Sequence, residues 1–142
     1  MVYFKILLLM LVLVLIFLGP LYYRLLTDYV LPMKRVHREI TYKKDPEAIW
    51  QSASLTESIR TGDCEDFCIL LYKRLGSLSK DFRFSVVKRG RDGTAHAVLI
   101  GKGMVLDPTN GRVYSVSDYM ESHIWIGDIS RERILRLTNG PA

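Results

Sequence analysis

From Ile6 to Tyr23 the chain runs for 18 residues without a charged side chain. In lipid such a run satisfies its own backbone only as a helix, and about 17–25 apolar residues cover the hydrocarbon thickness of a bilayer. The start of this 142-residue chain is therefore set apart from the domain that follows. A secretory signal peptide is the rival reading, with Lys5 as its positive n-region. No small-residue cleavage pattern follows the run, and Tyr22 and Tyr23 sit where interfacial aromatics hold a span in place. The pattern is read as an uncleaved single-pass transmembrane anchor over 1–24, meeting the bilayer through residues 6–23.

Residues 25–46 read as a basic juxtamembrane linker punctuated by Pro32 and Pro46. Residues 47–142 are enough for one domain. The net charge is +5, and apart from Lys5 and Arg24 the chain holds 18 basic against 15 acidic side chains. That balance does not suit nucleic acid. Lys34, Arg35 and Arg38 cluster just past the apolar run, as a solvated face or as a contact for anionic lipid.

The chemistry concentrates in Gly62-Asp63-Cys64-Glu65-Asp66-Phe67. Phe67, Cys68, Leu71 and Leu75 recur at helical spacing and Gly76 ends the pattern, so Cys64 opens a helix on its apolar stripe. Asp63 suits the N-cap, and Asp66 three residues on suits a capping-box return. A thiol at a helix N-terminus has its anion favoured by free N–H groups and the dipole. The flanking Asp63, Glu65 and Asp66 oppose that anion, so a reactive Cys64 needs a positive partner. Cys68, in mid-helix, reads as packing. Zinc held by Cys64, Cys68, His96 and His123 is disfavoured by the ligand spacing.

Ahead of this helix, Glu47 to Thr61 has loose helical spacing around Trp50, Leu55 and Ile59. After Gly76 the period becomes two. Strands are expected at Phe82–Val86, Ala95–Ile100, Met104–Asp107 and Val113–Val116, with turns at Gly90-Arg91-Asp92-Gly93 and Pro108–Gly111. The tail with His123, Trp125 and Ile134 to Leu137 is ambiguous. A two-residue turn at Gly101-Lys102 would set His96 opposite Asp107, and one at Lys102-Gly103 would make them diagonal neighbours on one face. A three-residue loop would separate them.

These parts fit acyl transfer: Cys64 as nucleophile, His96 as general acid and base, Asp107 as the orienter of the ring. Backbone N–H groups at the helix start are oxyanion donors, with Gln51 a side-chain candidate by residue type. Water as acceptor gives a peptidase or amidase and an amine gives a transglutaminase. The triad itself needs no cofactor. A catalytically silent module that binds a partner protein at the membrane is the alternative.

Gly-Asp-Cys-Glu-Asp-Phe, His-Ala-Val-Leu-Ile and Leu-Asp-Pro-Thr-Asn-Gly, in that order, resemble the transglutaminase-like superfamily, over roughly Trp50 to Gly111. The cysteine segment is most similar to the bacterial transglutaminase-like cysteine proteinases. The resemblance implies an α+β, papain-like core, a nucleophile helix packed on a small antiparallel sheet, here behind an N-terminal transmembrane helix. It implies a periplasmic, calcium-dependent endopeptidase acting on a surface protein, with Asp63 and Glu65 as calcium ligands. Counting basic residues around the apolar run points the domain to the cytoplasm, whereas the resemblance points outward. The chain departs from that subgroup in its short stretch before Cys64 and in its anchor.

Overall fold

A computed structural model describes residues 2–46, 49–91 and 93–139. Helix α1 (Val2–Leu25) carries the apolar run, and its lipid-length window is wholly exposed, clear of the domain. One helical path continues from Tyr3 through Glu39 and is long and apolar enough to cross a membrane. A π-helical turn at Leu26–Val30 passes into α2 (Leu31–Glu39), with Pro32 in its first turn, where a missing N–H costs nothing.

The segment that reads as a linker is therefore helical through Glu39, and one face of that helix is core. Tyr29, Met33, Val36 and Ile40 are buried in the main apolar cluster with α4, while Lys34, Arg35 and Arg38 face solvent on the opposite side of α2. The i, i+4, i+7 spacing of a buried face was masked by the basic residues between its members. The domain is thus joined to the apolar helix without a flexible connection.

Strand β1 (Thr41–Tyr42) pairs in parallel with β2 (Thr61–Gly62), on either side of α3 (Ala53–Ile59). Helix α3 is shorter than the sequence suggests. Ser52 caps it, accepting from the Leu55 N–H, and Arg60 ends it in the left-handed region. Glu47, where that helix was expected to begin, lies outside the described residues. Trp50 precedes it and stacks on Phe84 with ring centroids 5.5 Å apart. Helix α4 (Cys64–Leu75) is the buried axis of the domain, and a 3₁₀ stretch, Gly76–Asp81, leads off it.

The sheet comprises β3 (Arg83–Arg89), β4 (Ala95–Gly101), β5 (Met104–Asp107), β6 (Arg112–Ser115) and β7 (His123–Ile129), in the order β6-β5-β4-β3-β7, all antiparallel. The ambiguous tail supplies β7, which pairs with β3, and α6 (Arg131–Asn139), whose Ile134 joins the main core. Val116 starts a short helix, α5 (Val116–Met120), and does not end a strand. Asp92, in the β3–β4 turn, lies outside the described residues. Ala97, Leu99, Leu106 and Phe84 pack with α4, whereas Val87, Val98, Ile100 and Val105 pack on the other face with Tyr119. The fold is α+β, with the helix that begins at Cys64 packed against an antiparallel sheet, as the sequence suggests.

Burial of Met33 in α2 makes it part of the domain's stability. Met33→Ala is expected to cost about 2–5 kcal/mol, and Lys34→Ala on the exposed face within about 0.5 kcal/mol of nothing, in denaturant unfolding of the micelle-bound chain. Equal, small effects would contradict a core role for this helix.

Candidate active site

Cys64 is the first residue of α4, held there by a reciprocal cap. The Asp63 carboxylate accepts from the Asp66 N–H, and the Asp66 carboxylate accepts from the Asp63 N–H at 3.1 Å. Asp66 is wholly buried and its carboxylate accepts a second bond, from the Gln51 N–H at 2.8 Å, which ties the segment before α3 to the same helix end. Gly62 is the residue type this requires: a Cβ there would stand 2.7 Å from the Asp66 Cβ.

The second half of the site comes from the β4–β5 hairpin. Gly101 pairs with Met104, so Lys102 and Gly103 form the two-residue turn, with φ of 52° and 73°. Positive φ at both central positions defines a type I′ turn, which fits the twist of the strands. The II′ turn at Gly101-Lys102 is not formed. His96 and Asp107 are consequently diagonal neighbours on one face, and Nε2 of His96 lies 2.9 Å from Oδ2 of Asp107. Asp107 is buried and His96 is partly open.

Asp107 has three further partners. It accepts from the Thr109 N–H at 3.2 Å, from the Asn110 side-chain amide at 3.0 Å and, more distantly, from the Tyr119 hydroxyl at 3.5 Å. The Thr109 bond is the Asx-type turn that Asp107-Pro108-Thr109 invites, whereas the Asn110 bond joins two side chains. Tyr119 comes from α5, which no sequence pattern connects to Asp107. Its hydroxyl pKa is pushed upward, first by burial and then by Asp107.

The two halves meet at one edge of β4. Strand β5 pairs with β4 only over Leu99–Gly101, while β3 accompanies β4 back to Ala95. Ala97 therefore keeps an open edge, and its backbone N–H favours the anion of the Cys64 sulfur, lowering its pKa. Cys64, His96 and Asp107 line a single cavity of about 550 Å³, together with Arg89, Arg112 and His123. With Nε2 committed to Asp107, Nδ1 is the ring nitrogen left to address a thiol.

Electrostatics in this state hold Cys64 protonated. Burial raises its pKa to about 12, the Glu65 carboxylate adds to the rise by accepting the thiol proton, and the Ala97 N–H opposes it. The Sγ–Oε2 distance to Glu65 is 2.9 Å. Asp63 is raised to about 7, first by burial and then by a hydrogen bond with Glu65. The carboxyl of Asp63 thus holds its proton more tightly than an ordinary aspartate does.

Asp63 and Glu65 offer hard oxygen donors that repel each other, which suits calcium in kind. Among the described residues no group of three His, Cys, Asp or Glu side chains is arranged to hold a metal, so backbone, substrate or water oxygens would complete a shell. Zinc is not supported: Cys68 is buried in the core and the His123 ring stacks on Tyr119 with centroids 4.0 Å apart. Gln51 lines a different pocket with Lys43, Lys44 and Gly62, and its Oε1 accepts from Thr56. Its side chain does not join Cys64 in the cavity.

Among solved structures, the calcium-bound form of LapG from Legionella pneumophila matches with a TM-score of 0.60 and 22% identity, over 72% of this chain and 65% of that one. The fold is transglutaminase-like. A second LapG structure matches with a TM-score of 0.58 and 19% identity, over 71% of this chain and 65% of that one. An EGTA-treated LapG matches with a TM-score of 0.58 and 21% identity, over 70% and 62%. The chain thus spans just under two thirds of the LapG chains it matches. No family model and no curated protein matches the chain.

The raised Asp63 pKa has a consequence for stability. Between its ordinary value of 3.8 and about 7 the folded protein binds a proton that the unfolded chain releases. Stability from this group is therefore fully present at low pH, falls as pH rises through that window and levels off above it. Asp63→Asn keeps a good cap and is expected to flatten the fall of the thermal midpoint over the window. Parallel pH curves for the two proteins would contradict the assignment.

Proposed function

We propose that this chain is a membrane-anchored thiol hydrolase that cleaves a peptide or amide bond through a thioester at Cys64. The observation that carries this reading is the 2.9 Å contact between His96 Nε2 and Asp107 on the wall of a cavity that Cys64 also lines. The order Cys64, His96, Asp107 on a helix tip and two successive strands fits the transglutaminase-like fold.

In the proposed cycle, His96 Nδ1 takes the thiol proton as sulfur attacks the substrate carbonyl carbon. N–H groups of the first turn of α4, which have no partner within the helix, face the developing oxyanion. The imidazolium, stabilised by Asp107, returns the proton to the leaving amine as the carbon–nitrogen bond breaks. Water, deprotonated by the same nitrogen, then attacks the thioester, and the acid product leaves as the thiol is restored.

The test is the rate of iodoacetamide alkylation at Cys64 near neutral pH, read by mass spectrometry on the full chain in micelles. His96→Ala is expected to slow it by about 10²-fold or more, the usual range for a general base. An unchanged rate would contradict the pairing.

Asp63 and Glu65 would hold calcium, which when bound supplies positive charge against their mutual repulsion. Glu65 would then no longer be free to accept the thiol proton. Calcium is expected to raise the thermal midpoint of the wild type and not that of the Asp63→Asn, Glu65→Gln double variant. Equal shifts in both would contradict this site.

One observation favours a second reading. A thiol pushed up to about 12 and donated to a carboxylate is inert in the state described. On that reading the domain is a silent module that binds a partner, and the alkylation comparison separates the two.

A further inference from the structure

The turn that carries Asp107's partners is braced from the helix that continues the apolar anchor. Nδ1 of His37, on α2, lies 2.9 Å from the Thr109 carbonyl oxygen. A carbonyl only accepts, so Nδ1 carries the proton and donates. The His37 ring also sits directly on Gly111: a Cβ at that residue would stand 2.9 Å from ring Cδ2 and 3.0 Å from Cγ. Gly111 has φ of +68°, so glycine answers both the backbone and the space there.

The Thr109 carbonyl belongs to the peptide unit between Thr109 and Asn110. On one side of that unit the Thr109 N–H donates to Asp107 Oδ1, and on the other the Asn110 amide donates to Asp107 Oδ2. Fixing the unit fixes the approach of both donors. The brace is rigid at its other end too, because Val36 and Met33 beside His37 are fully buried. The helical path is unbroken from the apolar run to Glu39.

We infer that His37 is a positioning residue for the Asp107–His96 pair, so that the helix emerging from the membrane forms part of the active site and not only its tether. The inference rests on the catalytic reading given above. It assigns His37 no contact with substrate. Its effect passes through the Pro108–Gly111 turn to the carboxylate, and from there to the ring.

The test uses the full chain in micelles and the rate of Cys64 alkylation near neutral pH, with the thermal midpoint of each variant measured alongside. His37→Leu fills the space over Gly111 but has no donor. His37→Asn places an amide N–H near the position of Nδ1. His37→Leu is expected to slow alkylation by about three- to tenfold, the worth of one neutral hydrogen bond, and His37→Asn to recover most of it. His37→Ala makes the same comparison if the leucine variant does not fold. A normal rate in His37→Leu, with His96→Ala slow, overturns the role of His37 and leaves the catalytic reading standing. Equal slowing in the leucine and asparagine variants assigns the effect to packing and also overturns it. A normal rate in His96→Ala overturns the catalytic reading itself.

Discussion

Asp66 is the residue on which the geometry of the site depends. It lies inside the protein, forms no ion pair among the described residues, and is held by backbone N–H groups of Asp63 and Gln51. Burial of a carboxylate without such donors would cost several kcal/mol. With them, one side chain closes the N-terminus of α4, draws Gly62 against it and fixes the strand-like entry to α3. Cys64 is thereby placed at the first position of a helix whose remaining apolar residues are committed to the core. The thiol has little freedom to be anywhere except the open edge of β4.

That placement brings a conflict that the chain does not resolve by itself. The helix dipole and free N–H groups favour a thiolate, as does the Ala97 N–H. Burial and the neighbouring carboxylates oppose it more strongly, and the proton stays between sulfur and Glu65. A buried carboxyl that holds its proton beside a second carboxylate, as Asp63 does, changes state when positive charge arrives. A thiolate at Cys64 thus requires something that offsets Glu65, be it the His96 imidazolium, an ion or a ligand that displaces the carboxylate.

Much of this was legible in the residues, because each part is governed by short-range rules. The Asp63-x-x-Asp66 cap follows from spacing alone. The hairpin was readable to within two turn types, since either two-residue turn keeps His96 and Asp107 on one face. The choice between them depended on Lys102 accepting a positive φ. What stayed hidden depends on contacts far apart in sequence. The buried face of α2 was obscured by Lys34, Arg35 and Arg38 on its outer side. Tyr119 and His37 reach the Asp107 turn from elements with no local sign of it. The tail had no dominant period, because β7 is an edge strand with Ile124, Trp125 and Ile126 all largely exposed. Gln51 was named on residue type, and its backbone is what the structure uses.

The central claim is that one imidazole stands between the Cys64 sulfur and the Asp107 carboxylate, with its two nitrogens assigned in opposite directions. Nitrogen-15 spectra of the histidine rings in the full chain measure this directly. Expected for His96 is a neutral ring protonated at Nε2, with a bare Nδ1 whose resonance moves when Cys64 is replaced by alanine. A ring protonated at Nδ1, or an Nδ1 resonance indifferent to the loss of the sulfur, would contradict it.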